Sequence, residues 1–281
     1  MDEQHQRFEA VAREVCAARK LSFGELVGSG AFKHTFRATA ADGSHVALKV
    51  YKSTSARDAR EVSALKRCNH PSIARLFDVG AWPLNGTSYT YSLEEFLDGG
   101  TLTRRFASGI LDGKRVLDLG TPLIGAVGHI ADLDLVHRDL KPDNIMFRGA
   151  DVPVVVDFGL VRDLGEESLT KTWAGRGPGS PFFAAPEQLN NDKHLIDWRT
   201  DQFGLGVVLT LAGTGRHPYA EPTSTPAEIV ERVAQRKAPA RVFTDWARSV
   251  GLDALVKAVA PWPAQRYRTP ADLSQAWQKV R

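Results

Sequence analysis

Cysteine is scarce: the 281-residue chain has two, Cys16 and Cys68, in no spacing that would hold a metal. That excludes a disulfide-stapled scaffold and a zinc module, and points to two buried thiols in a reducing compartment such as the cytoplasm. Long hydrophobic runs are lacking too. The longest, Leu205 to Ala212, falls far short of the roughly 20 residues that span a bilayer, and the polar, acidic start Met1-Asp2-Glu3-Gln4 is no secretory leader. Neither sign of charge dominates. Thirty-six Lys and Arg against 33 Asp and Glu leave +3, with no basic run of the length that nucleic acid or an anionic membrane selects. Repeats and low-complexity tails are absent as well. What remains is an ordinary globular chain, 43% hydrophobic and 25% charged, long enough for one large domain or two lobes. The expectation is a soluble protein with no nucleic-acid or membrane partner.

Chemistry-bearing residues concentrate between His137 and Gly159. His137-Arg138-Asp139-Leu140-Lys141-Pro142-Asp143-Asn144 precedes Asp157-Phe158-Gly159. Asp139 is a carboxylate able to take a proton from a hydroxyl, and Asn144 and Asp157 offer the hard oxygen ligands that Mg²⁺ prefers. The first run fits H-R-D-L-x-x-x-N at every fixed position and the second is D-F-G, so the chain resembles a eukaryotic-like serine/threonine protein kinase catalytic domain. The resemblance implies an α+β, two-lobed fold. An N-lobe with a small antiparallel sheet and a helix C would cover about 23–95, a hinge about 95–100, and a larger, mostly helical C-lobe about 101–281, after an N-terminal extension at 1–22.

In that extension Phe8, Val11, Val15 and Ala18 recur at helical spacing, predicting an amphipathic helix whose apolar stripe packs on the domain, with a partner or dimer contact as the alternative. Leu26 to Phe36 and Ser44 to Tyr51, around an Asp42-Gly43 turn, read as three antiparallel strands. Gly28 and Gly30 would let backbone amides approach phosphate oxygens. Val46-Ala47-Leu48-Lys49 resembles the family's V-A-I-K, and period-two alternation puts Ala47, roofing a base, on the same face as Lys49, reaching phosphates. Lys33 stands where the family has a third glycine and Thr35 where it has valine, making Lys33 an auxiliary nucleotide contact. Ser55 to Arg67 reads as helix C, with Glu61 by resemblance the carboxylate that pairs with Lys49. Tyr89 to Gly100 resembles the last N-lobe strand and the hinge, with backbone groups of Glu95 and Leu97 hydrogen-bonding adenine. Glu94 falls at the gatekeeper position by resemblance, where a buried carboxylate needs a cationic partner, the alternative being a register shifted by one residue.

Further on, Thr121-Pro122 predicts a helix start running to about Leu135, and Ile145 to Phe147 with Val152 to Val156 predict strands that bring Asn144 and Asp157 to adjacent ends. Gly159 to Ala185 resembles an activation segment, in which Ser168, Thr170 and Thr172 are hydroxyls whose phosphates would pair with Arg138. Ser180, in the substrate-docking stretch ending at Ala185-Pro186-Glu187, resembles the residue that contacts the catalytic Asp and Lys. A helix begins at Asp201, which by resemblance anchors the catalytic loop; Arg266 matches the arginine that pairs with Glu187. Thr225-Pro226-Ala227-Glu228 and Thr269-Pro270-Ala271-Asp272 are capping-box starts of later helices.

The function implied is phosphorylation of Ser/Thr hydroxyls on protein substrates, itself included. ATP with Mg²⁺, or Mn²⁺ in its place, would be the cofactors. Asp139 would act on the hydroxyl proton, Lys141 on the transferring phosphoryl, Asn144 and Asp157 on the metal, and Lys49, held by Glu61, on the phosphates. The alternatives are a pseudokinase scaffold and a small-molecule phosphotransferase. With no sensor domain or anchor in the chain, regulation is expected from partners or the activation segment.

Overall fold

In the computed structural model of the chain, residues 3–30, 33–52, 66, 68–157 and 180–279 are described. They form two compact units: α1 (Glu3–Ala18) with strands β1 to β5, and His70–Ile73 with the described residues after Asp98.

The first unit is a five-stranded antiparallel sheet in the order β1-β2-β3-β5-β4, built from β1 (Ser22–Ser29), β2 (Lys33–Thr39), β3 (His45–Lys52), β4 (Leu76–Leu84) and β5 (Thr87–Glu95). β4 was not foreseen from sequence: Asp78, Gly80 and Pro83 interrupt its apolar pattern, which an edge strand tolerates. β3 alternates two buried sets. Leu48 and Val50 join Phe36, Ala38, Tyr91 and Leu93 beneath α1, while Ala47, Lys49 and Tyr51 occupy the other parity. From α1 come Phe8, Val11, Ala12, Val15 and Cys16, each at most 1% exposed. Ala12 and Cys16 thus complete the stripe, and Ala18, the last residue of α1, is exposed. The stripe expected to pack on the domain does so. Glu14 accepts from Trp82 Nε1 at 2.7 Å, and Arg13 lies over the Phe23 ring at 4.2 Å.

The second unit is mostly helical: α2 (Leu102–Phe106), α3 (Gly113–Asp132), α4 (Pro186–Leu189), α5 (Trp198–Thr214), α6 (Pro226–Ala234), α7 (Arg241–Ser249), α8 (Asp253–Ala258) and α9 (Pro270–Gln278). One hairpin, β6 (Ile145–Arg148) with β7 (Val152–Val155), completes it. α3 packs against α5 and α9, and the approach is close enough that a Cβ on Gly120 would lie 2.3 Å from the Trp277 ring. Gly99 is similarly confined, 2.1 Å from Gly149 O to where its Cβ would stand.

Two predicted helix starts are corrected. α3 is capped by Asp112, whose side chain accepts from Arg115 N, and Thr121-Pro122 lies inside it. The Thr121 hydroxyl donates back to Leu117 O at 2.8 Å, and the carbonyl that Pro122 deprives of a partner belongs to exposed Asp118, where water can serve it. α5 is capped by Asp197, so Asp201 sits one turn in. The capping boxes at Thr225 and Thr269 are present as expected.

Truncating Phe8, packed edge-on against His34 and Tyr89, to alanine should cost about 3–5 kcal/mol of stability, read by denaturant unfolding. His217 supplies a pH test. It is buried, accepts from Tyr219 N at 3.1 Å through Nδ1, packs on Phe182, and burial drives its pKa down to about 3. Between that value and the ordinary 6.5 the unfolded chain holds a proton that the folded chain does not, so stability is full above about 6.5 and falls as pH drops. The thermal midpoint should decline from pH 6.5 to 5, and His217→Phe should flatten that decline.

Candidate active site

The site in the second unit starts from a buried acid. Asp201, 2% exposed, accepts from His137 N at 2.6 Å through Oδ2 and from Arg138 N at 2.8 Å through Oδ1. Burial pushes its carboxyl above the usual range, opposed by His137 and the two backbone donors. The clamp holds Arg138 in a left-handed conformation, φ 64°, that a non-glycine residue adopts only under constraint. Gln188 adds a second restraint, donating Nε2 to Arg138 O at 2.8 Å while its Oε1 accepts from Ala185 N at 3.1 Å.

His137 continues the chain of contacts. Its Nδ1 accepts from Asp139 N at 3.2 Å, which leaves the ring proton on Nε2, 2.9 Å from Val156 O. The loop is thereby tied to the residue before Asp157. Val156 N in turn donates to Asn144 O at 2.9 Å, so Asn144 and Asp157 flank adjacent ends of the β6–β7 hairpin. Asp157 itself is left-handed, φ 61°.

Around Asp139 the polar atoms converge. Lys141 Nζ donates to Oδ2 at 3.1 Å, and Asn144 Nδ2 donates to the same oxygen at 3.2 Å and to Asp139 O at 2.8 Å. Two oxygens facing one amide atom identify that atom as nitrogen, so what Asn144 has to offer a cation is Oδ1. With the Asp157 carboxylate this makes a set of two hard-oxygen donor groups, and no group of three or more His, Cys, Asp or Glu that could hold a metal ion occurs among the described residues. A set so small suits a divalent cation that keeps waters and phosphate oxygens in its shell.

Behind the loop, Arg266 donates to both oxygens of Glu187, at 2.7 and 3.0 Å. Both side chains are fully buried, and Thr200 Oγ1 donates to Glu187 Oε1 at 2.9 Å.

In the first unit, Lys49 Nζ lies 2.5 Å from Glu94 Oε2, both groups buried. Ala47 stands opposite Glu94 in the register. Gly28 faces Thr35, and Gly30 N donates to Lys33 O at 2.9 Å. Neither glycine has a positive φ, and a Cβ on either would meet nothing closer than 3.8 Å among the described residues. Lys33 opens β2 half-buried, across from Tyr51. Glu95 N donates to Arg75 O at 2.9 Å, committing that amide to the sheet edge, and Leu97 is buried. Ser180 begins a 3-10 turn, Ser180–Phe183. Glu61, Phe158, Gly159, Ser168, Thr170 and Thr172 lie outside the described residues.

Sequence reading missed Ser92, Gln188 and Thr200. Gln188 and Thr200 adjoin Glu187 and Asp201, which is the one signal that marked them; Ser92 carried none, a lone hydroxyl in a strand.

The family model of the protein kinase domain matches residues 21–265. Among curated relatives, a probable serine/threonine-protein kinase of Streptomyces coelicolor is 27% identical over 264 residues, covering 90% of this chain and 39% of that protein. Serine/threonine-protein kinase PknB of Mycobacterium tuberculosis is 29% identical over 238 residues, covering 81% and 37%. A probable serine/threonine-protein kinase of Clostridium acetobutylicum is 32% identical over 193 residues, covering 66% and 28%. The chain spans about two fifths or less of the length of these relatives. With the catalytic-loop clamp, the Asn144 and Asp157 pair and a family match over most of its length, the chain belongs to the protein kinase domain family.

Proposed function

We propose that the chain transfers phosphate from ATP to Ser/Thr hydroxyls of proteins, itself among them. The observation that carries this is Asp139, half-buried, with Lys141 and Asn144 converging on its Oδ2. Bound Mg²⁺·ATP supplies the phosphoryl group and neutralises its charge. Asp139 orients the acceptor hydroxyl and takes its proton; the Lys141 ammonium sits beside it, where negative charge develops. Asn144 and Asp157 hold the metal, Mg²⁺ in preference to Mn²⁺, and Lys49 the phosphates. Gly28 and Gly30 would let backbone amides approach the nucleotide phosphates, with Lys33 as a neighbouring cation. The carbonyl of Glu95 and the backbone of Leu97 take the base beneath Ala47.

Protein acceptors follow from the relatives' names and from Ser180 and the turn it opens. The set Lys49, Asp139, Asn144 and Asp157 argues against a binding-only scaffold. Arg138 is exposed, so its guanidinium can receive a phosphate on Ser168, Thr170 or Thr172, the regulatory role proposed for it. Glu187, Arg266 and Asp201 are structural. The apolar stripe of α1 is spent on its own sheet, so no partner contact is assigned to it. No helix among the described residues is long and apolar enough to cross a membrane; ATP chemistry and two buried thiols fit a cytoplasmic location.

Incubation with Mg²⁺ and γ-labelled ATP, followed by mass-spectrometric mapping, should find phosphorylated Ser and Thr. Asp139→Asn should lower transfer about 10²- to 10⁴-fold; transfer at the wild-type rate would refute the assignment. Asp201→Asn replaces one acceptor by a donor facing a backbone N–H, so the loop shifts. A displacement on the order of 1 Å costs roughly a hundredfold in kcat, and KM for ATP should hold, since the phosphate contacts assigned to Lys49 lie on β3.

A further inference from the structure

Lys49 and Glu94 stand 45 residues apart in sequence and on neighbouring strands of one sheet. Between β3 and β5 the register is unbroken from Val46↔Glu95 to Lys52↔Tyr89, with Ala47 opposite Glu94 and Lys49 opposite Ser92. Lys49 and Glu94 are therefore diagonal neighbours on one face, a separation that long side chains bridge. The carboxylate is fixed at both oxygens: Lys49 Nζ donates to Oε2 at 2.5 Å and Ser92 Oγ to Oε1 at 2.7 Å. The Tyr51 hydroxyl lies 3.4 Å from Ser92 Oγ. Turning the carboxylate breaks one of these bonds, and withdrawing it takes one partner from a buried pair, Lys49 and Glu94 being 6% and 7% exposed.

We propose that Glu94 is a positioning residue for Lys49: it aims the ammonium from within the sheet, the role that family resemblance gives to Glu61 on a helix. The proposal rests on Lys49 being the phosphate contact. The β3–β5 register brings lysine and carboxylate onto one face, and Ser92 sets the carboxylate.

The test compares Glu94→Gln, Ser92→Ala, Glu61→Gln and Lys49→Met by calorimetric titration with Mg²⁺·ATP and by steady-state kinetics on folded protein. Glu94→Gln keeps the shape and removes the charge, so ATP affinity should weaken about tenfold, the scale of one charge-assisted contact. KM for the protein acceptor should stay unchanged, a split that general destabilisation would not produce. Ser92→Ala retains both charges and loosens the carboxylate, so it should weaken ATP binding by about two- to threefold, less than removal of the charge itself; it serves in place of Glu94→Gln if that variant does not fold. Glu61→Gln should weaken binding less than Glu94→Gln. Added to Lys49→Met, Glu94→Gln should have no further effect, because it acts through the ammonium. Wild-type ATP affinity in Glu94→Gln beside weakened binding in Lys49→Met would overturn the proposal alone, as would a full Glu94→Gln effect persisting without the lysine, or a larger loss from Glu61→Gln. Wild-type affinity in Lys49→Met would instead remove the phosphate role of Lys49 on which the proposal stands.

Discussion

The Asp201 carboxylate gives one oxygen to His137 N and the other to Arg138 N, and the geometry of the catalytic loop depends on it. A backbone with Arg138 at φ 64° is uphill for any side-chain-bearing residue, and a loop so strained relaxes unless its neighbours over-determine it. Asp201 can do so because it is mounted one turn into α5, the most thoroughly buried helix of the second unit, with Phe203, Val207, Val208 and Leu209 at most 1% exposed. Gln188 secures the Arg138 carbonyl from α4, whose neighbour Glu187 is in turn held by Arg266. Local strain at the chemistry is thus offset by packing behind it.

The first unit solves a different problem by a comparable means. A buried ammonium needs a carboxylate at hand. Glu94 provides it inside the same sheet, on a strand whose opposite face is sealed by α1. Leu48 and Val50 on one side and Lys49 on the other make β3 buried on both faces, apolar beneath the helix and polar toward Glu94.

Much was legible in the residues because the relevant signals are local. The strands β1, β2 and β3 announced themselves by pattern and turn, β6 and β7 as short apolar runs, β5 through the family resemblance, the helix starts at Thr225 and Thr269 by capping boxes, and the catalytic stretch by an unbroken run from His137 to Asn144. Errors arose where a local signal competed with packing. Thr121-Pro122 has the form of a helix start, but Val116, Leu119, Leu123 and Ile124 are buried along one continuous helix, and that burial outweighs the hydrogen bond lost at proline. Asp201 has the form of an N-cap, but Asp197 takes that position. β4 was unreadable because an edge strand need not alternate.

The sequence by itself determined which groups are present and in what order: Lys49, Asp139, Lys141, Asn144 and Asp157 are recognisable because their chemistry travels with short runs of neighbouring residues. It also marked Glu94 as a buried acid in need of a cation. Only the tertiary structure decided that the cation is Lys49 and that Ser92 locks the carboxylate. That pairing joins positions 45 residues apart, and it exists because the β3–β5 register brings them onto one face; a shift of one residue would turn Glu94 to the opposite side of the sheet.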